Sequence, residues 1–316
     1  MAHLRRRSAF RFLGAVLFCV GLELSAQSAN LPQGAGLPAD VATLQQLARN
    51  GDGHAAYLVG RAYMEGKGVR QDLDQAGAWF TQAANWGSAD GEFALGYLYE
   101  HGEGFARNLH LAARHYSAAA EKGHSEAENN LASMYEHGAG LKKNLEIAAR
   151  WYHAAASQGE VVAQCNFATL YFSGRGVKRD YVQSAAWFKA AAQQGFAPAQ
   201  ENLAWMYYTG TGMPVDYAQA ASWIRSAAEQ GFPRAQLDLA FLYEQGKGLA
   251  LDYVSAYAWY KAATAGGEKR AADRLKKLAN VMTQLQISKA NELAAHLPRS
   301  PENGGNLIGS SFLDQK

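Results

Sequence analysis

"EGKGVRQDLDQAGAWFTQAANWG", residues 65 to 87, ends one helical pattern, turns on two glycines and runs through a second helical pattern. A close copy, "EHGEGFARNLHLAARHYSAAAEKG", follows at 100 to 123, and four more follow after it. Glycine pairs stand at 66/68, 102/104, 138/140, 174/176, 210/212 and 246/248, each 36 residues from the last. A further glycine column at 51, 87, 123, 159, 195, 231 and 267 keeps the same step. A fixed period of this length is the mark of stacked supersecondary units, each too small to bury its apolar face alone.

Working outward from the quoted stretch, the first half of the unit beginning at Asp52 places Ala55, Val59, Ala62 and Tyr63 on one face of a helix, here called helix A. Tyrosine fills the last of these positions in every unit, at 63, 99, 135, 171, 207 and 243. Three residues later comes the first glycine of the pair, where a left-handed C-terminal cap costs glycine least. Four residues after the second glycine stands Asp72, Asn108, Asn144, Asp180, Asp216 or Asp252. Their short side chains accept from an orphan backbone N–H and start helix B. Helix B carries Ala76, Trp79, Phe80 and Ala83 on one face, and the tryptophan column continues as His115, Trp151, Trp187, Trp223 and Trp259. Small alanines are expected to bring helices close, with the aromatics filling the space between units.

These columns resemble the Sel1-like repeats, a branch of the tetratricopeptide-type solenoids. The match is closest at "LAFLYEQGKGLALDYVSAYAWYKAATAGG", 239 to 267, and "ATLYFSGRGVKRDYVQSAAWFKAAAQQG", 168 to 195. The departures are His115 and Ile224 in the aromatic columns, Thr264 for alanine, and Met213-Pro214 in a turn. The expected fold is all-α: a right-handed α-solenoid of six 36-residue helix-turn-helix repeats over 52–267, with capping helices at both ends. Residues 30–51 read as a linker and N-terminal capping helix, Leu44, Leu47 and Ala48 standing in phase with Phe80, Ala83 and Ala84. Residues 268–297 read as two closing helices, and the Pro/Gly/Ser-rich 298–316 as a disordered tail.

Residues 1–29 order a basic segment, the short apolar run "FLGAVLFCVGL" and small residues, the pattern of a secretory signal peptide. Arg6-Arg7 leaves the general and twin-arginine export routes both open. Removing four Arg and one Glu from 30 basic and 28 acidic side chains leaves 26 and 27. Such a chain is close to neutral and lacks the basic surface that binding to nucleic acid needs. Of the two cysteines, Cys19 lies in the signal and Cys165 in the fourth helix-A stretch, so the mature chain is expected to hold no internal disulfide.

No enzyme constellation emerges. Glu100-His101 and Glu136-His137 repeat one unit apart, about 10 Å at helix-packing spacing, too far for both histidines to hold one metal. They read as polar residues ending helix A. The glycine pairs follow helices rather than strands and are not phosphate loops. No catalytic residue, metal site or cofactor is expected. The resemblance implies the same: some relatives with a cysteine pair in every repeat are linked to β-lactam binding, and this chain lacks those pairs.

The remaining feature lies on helix A away from its buried stripe. Asn130, Asn166, Asn202 and Asp238 form a polar ladder, preceded by Leu58 and Ala94. Three residues further along each helix stand Arg61, Tyr97, Ser133, Thr169, Trp205 and Phe241. In solenoids of this kind helix A lines the concave surface, and amides with interspersed aromatics suit an extended partner with a repeating backbone. The expected groove therefore comprises Asn130, Asn166, Asn202, Asp238, Tyr97, Trp205 and Phe241. Two other readings stay open: the amides serve only the stacking, and Trp205 and Phe241 are ordinary packing contacts. The resemblance implies a non-catalytic adaptor for a peptide segment or protein partner in an exported, periplasmic or secreted setting. A module for peptidoglycan or exopolysaccharide is the second reading.

Overall fold

A computed structural model describes residues 40–299. The expected signal peptide, Cys19, most of the linker and the tail from residue 300 lie outside the described residues. Among those described there are fifteen helices and no strand. After α1 (Val41–Arg49), the A helices are α2 (Gly53–Glu65), α4 (Ala89–His101), α6 (Ser125–His137), α8 (Val161–Ser173), α10 (Ala197–Thr209) and α12 (Pro233–Gln245). The B helices are α3 (Leu73–Asn85), α5 (Leu109–Ala120), α7 (Leu145–Ser157), α9 (Tyr181–Gln193), α11 (Tyr217–Ala228) and α13 (Tyr253–Ala265). Two closing helices follow, α14 (Lys269–Ala279) and α15 (Gln284–Ala295). The chain thus has the helix pairs of an α-solenoid, and the described residues divide into two compact units, 40–179 and 180–299.

In the first unit, α1 to α8 pack each on the next, and α4 also touches α2. In the second, α9 to α14 do the same and α15 closes on α13. The turn chemistry is the one the glycine and Asp/Asn columns demand. Gly66 caps α2 in the left-handed region at φ 69°. Asp72, Asn108, Asn144, Asp180, Asp216 and Asp252 each accept from a backbone N–H in the first turn of a B helix. The same residue ties the loop back: Asn108 N donates to Tyr99 O at 2.8 Å, and Asn144 N to Tyr135 O at 2.9 Å.

The second glycine of each pair has a further reason. A Cβ on Gly140 would collide with the carbonyl of Leu109, the first residue of the preceding B helix, and one on Gly176 with that of Leu145. The loop of one repeat therefore sits directly on the preceding repeat's helix B.

Packing refines two expectations. The fully buried column of helix B is Phe80, Tyr116, Tyr152, Phe188, Ile224 and Tyr260, while Trp79, Trp151, Trp187 and Trp223 are half-buried beside it. Burying a side chain such as Phe80 contributes roughly 2–3 kcal/mol. In α1, Leu44 and Ala48 are buried as the phase predicts, but Leu47 is 44% exposed: α1 is the terminal helix and covers α2 with one edge only.

Candidate functional site

The site begins with a departure from the expectation for the helix-A ends. Glu100 and Glu136 are not solvated end residues; they are 2% and 1% exposed. The Tyr116 hydroxyl donates to Glu100 Oε2 at 2.7 Å, and the Tyr152 hydroxyl to Glu136 Oε2 at 2.9 Å. In the last repeat the Tyr260 hydroxyl donates to Glu244 Oε2 at 2.5 Å. Burial is the largest influence on Glu100 and pushes its carboxyl up, against the lowering effect of the Tyr116 hydrogen bond. The histidines that follow turn back on their own helices: His101 Nδ1 lies 3.0 Å from Tyr97 O, and His137 Nδ1 2.8 Å from Ser133 O.

The pairing leaves one trace in the sequence, a joint change of two columns, although burial itself does not show there. Glu at 100, 136 and 244 is matched sixteen residues later by Tyr at 116, 152 and 260. Where helix A has Met64, Phe172 or Tyr208 instead, helix B has Phe80, Phe188 or Ile224. A buried carboxylate needs a donor and an apolar residue does not, so the two columns change together.

The amide ladder adjoins these pairs. Asn130 is half-buried and lies within hydrogen-bonding range of the Tyr116 hydroxyl. Asn166 is 2% exposed, and its Nδ2 donates 3.1 Å to Oδ1 of Asn129, one repeat back. Asn129 in turn donates 3.3 Å to Asn130 Oδ1, so an amide chain joins α6 to α8. Asn129 was not among the residues expected. Asn202 is buried. Asp238 is partly buried in a charged cluster with Arg234, Arg270 and Glu268. One period beyond it, Arg274 occupies the ladder position, with Nη1 3.1 Å from Glu244 Oε2.

The aromatic positions divide by burial. Tyr97 is half-exposed and stacks on His101 with ring centroids 4.1 Å apart. Trp205 is partly exposed on α10. Phe241 is buried, with the Arg274 guanidinium 5.5 Å from its ring centroid. His115, in the tryptophan column, lies flat against Tyr99 and 2.8 Å from Glu92. It keeps the stacking role of an aromatic and adds a charged partner. Cys165 is fully buried in α8.

Among the described residues no group of three His, Cys, Asp or Glu is placed to hold a metal ion, and no helix is long and apolar enough to cross a membrane. The molecule so described is a stacked-helix repeat protein whose A helices alternate buried polar anchors with half-open polar side chains. The Sel1 repeat model matches six consecutive segments, 53–88, 89–124, 125–160, 161–196, 197–232 and 233–268, and the chain belongs to the Sel1 repeat family. Repeats of this family generally act as scaffolds for protein–protein contacts.

Among solved structures, the chain is similar to a Sel1 repeat protein from Oxalobacter formigenes, at 29% identity and TM-score 0.62, covering 71% of this chain and 97% of that one. It is also similar to a protective antigen present in uropathogenic Escherichia coli strains, which displays an SLR fold, at 25% identity and TM-score 0.45, over 80% of this chain and 78% of that one. The comparison with curated proteins finds no match.

Proposed function

We propose that the chain is a non-catalytic scaffold of the bacterial envelope that holds a peptide segment or protein partner against the exposed face of its A helices. The observation that carries this reading is the composition of that face in α4 and α6. Tyr97, Asn129, Asn130 and Ser133 are half-open to solvent beside the buried anchors Glu100 and Glu136. Side chains anchored by a packed layer and still open to solvent offer donors, acceptors and aromatic area at little entropic cost, the combination that binds extended chains. The envelope setting rests on the basic, apolar and small-residue order of residues 1–29.

The test is in-cell crosslinking with mass spectrometry, comparing the wild-type chain with a Tyr97→Ala/Asn130→Ala variant of matched melting temperature. A partner captured by the first and lost by the second supports the reading. Partners indifferent to both substitutions would move the binding surface elsewhere. Asn166 and Asn202 are poor test positions because their burial mixes loss of contact with loss of folding.

A further inference from the structure

Three repeats carry the same glutamate–tyrosine pair, buried in the second and third and partly buried in the sixth, and in two of them a guanidinium of the chain itself completes it. Arg175 Nη1 lies 3.0 Å from Glu136 Oε1, an ion pair rather than a well-angled hydrogen bond. Arg274 Nη1 lies 3.1 Å from Glu244 Oε2 and 3.3 Å from its Oε1. The two arginines arrive by different routes. Arg175 comes from the glycine loop of the following repeat, and Arg274 from the following helix, α14.

In the second repeat neither route delivers a cation. The 36-residue period puts Ala139 where Arg175 would stand and Asn130 where Arg274 would stand. Glu100 Oε2 accepts from Tyr116, but Oε1 is shielded from solvent and has no hydrogen-bond partner. Arg107 and His101 act on this carboxyl only through space. Arg107 Nε donates to the Glu100 backbone carbonyl at 2.9 Å, and His101 Nδ1 is turned to Tyr97 O. A buried carboxylate with one oxygen unmet is costly. The first repeat shows the cheaper alternative, with Met64 and Phe80 at the two positions.

The route to Glu100 is short. Arg175 reaches Glu136 while its own side chain stays 29% exposed, so a cation at the surface can touch a carboxylate at this depth. In the second repeat the residue equivalent to Arg175 is Ala139, which ends at a methyl; Tyr97, which feels the Glu100 charge, is partly exposed, and so is Glu103, with Tyr97 Oη 3.5 Å from Glu103 Oε1. Two carboxylates and a half-open aromatic ring suit a planar cation with several donors.

We propose that Glu100 receives the guanidinium of an arginine on the bound partner, so that the partner supplies in the second repeat what Arg175 and Arg274 supply in the third and sixth. This rests on the reading that the helix-A face is the binding surface, and it assigns an arginine-containing peptide as the occupant.

A small probe tests the site without knowledge of the partner. The full chain is titrated with N-acetyl-arginine amide, using the citrulline analogue as its neutral counterpart, and the Tyr97 and His101 resonances are followed. Saturable shifts are expected with arginine and not with citrulline. The apparent affinity should fall at least tenfold in Glu100→Gln and stay unchanged in Glu136→Gln. Ala139→Arg, which fills the site from within, should abolish binding and raise the melting temperature. Equal responses to arginine and citrulline, or binding untouched by both Glu100→Gln and Ala139→Arg, would overturn the proposal. A cellular partner that depends on Tyr97 and Asn130 but not on Glu100 would remove the arginine site and leave the scaffold standing.

Discussion

The Tyr116 hydroxyl and the Glu100 carboxylate, 2.7 Å apart and both out of solvent, are bound to each other in identity as well as in space. Neither residue is useful in the core without the other. Tyr116→Phe is expected to cost about 2–3 kcal/mol, because it leaves a buried carboxylate with no donor. The double variant Glu100→Met/Tyr116→Phe copies the first repeat's Met64 and Phe80 and should recover most or all of that loss. Chemical denaturation of the wild type, both single variants and the double variant checks this. Additive losses would mean that the pair is not a unit.

The face of α4 and α6 should separate binding from stability. Tyr97→Ala and Asn130→Ala remove half-exposed side chains and should shift the melting temperature little. Asn166→Ala breaks the buried amide contact to Asn129 and should cost about 1–2 kcal/mol. Thermal unfolding followed by circular dichroism ranks the three variants.

Glycines of the two columns should respond differently to alanine. Gly123 has φ 82° and open space where a Cβ would go, so Gly123→Ala carries only the left-handed penalty of about 1–2 kcal/mol. Gly140 has φ 69° and the Leu109 carbonyl in the way, so Gly140→Ala should cost clearly more. It should also expose the contact between its loop and the start of α5, read as faster amide hydrogen exchange there.

Stability of the second unit should depend on pH through two carboxyls. Burial pushes Glu201 up to about 7 and Asp238 up to about 6, with Arg234, 4.0 Å from Glu201, opposing the shift and Glu268 adding to it. Arg270 also faces Asp238 and opposes its shift. From the ordinary values of 4.5 and 3.8 up to these raised values, the folded chain holds more protons than the unfolded one. Stability therefore falls as pH rises through that window. Glu201→Gln should flatten the slope, raising the melting temperature at pH 8 and changing it little at pH 4.5. A scan of melting temperature against pH for both proteins provides the check.

The sequence by itself determined the repeat, its 36-residue step, the helix pairs and their caps. Each depends on local chemistry: a left-handed turn at Gly66, an Asx cap at Asn108, an apolar stripe along one helix. Such features need only the residues within a turn or two, and periodicity shows them six times. Which polar side chains are buried was a tertiary matter. Glu100 and Glu136 sit at helix ends, where isolated helices expose their side chains, and the tyrosine hydroxyl each meets comes from helix B of the same repeat, brought against it by packing. The amide ladder divides in the same way. Asn130 stays half-open while Asn166 closes onto Asn129, because burial is set by what the neighbouring helix places opposite, one full repeat away in the chain.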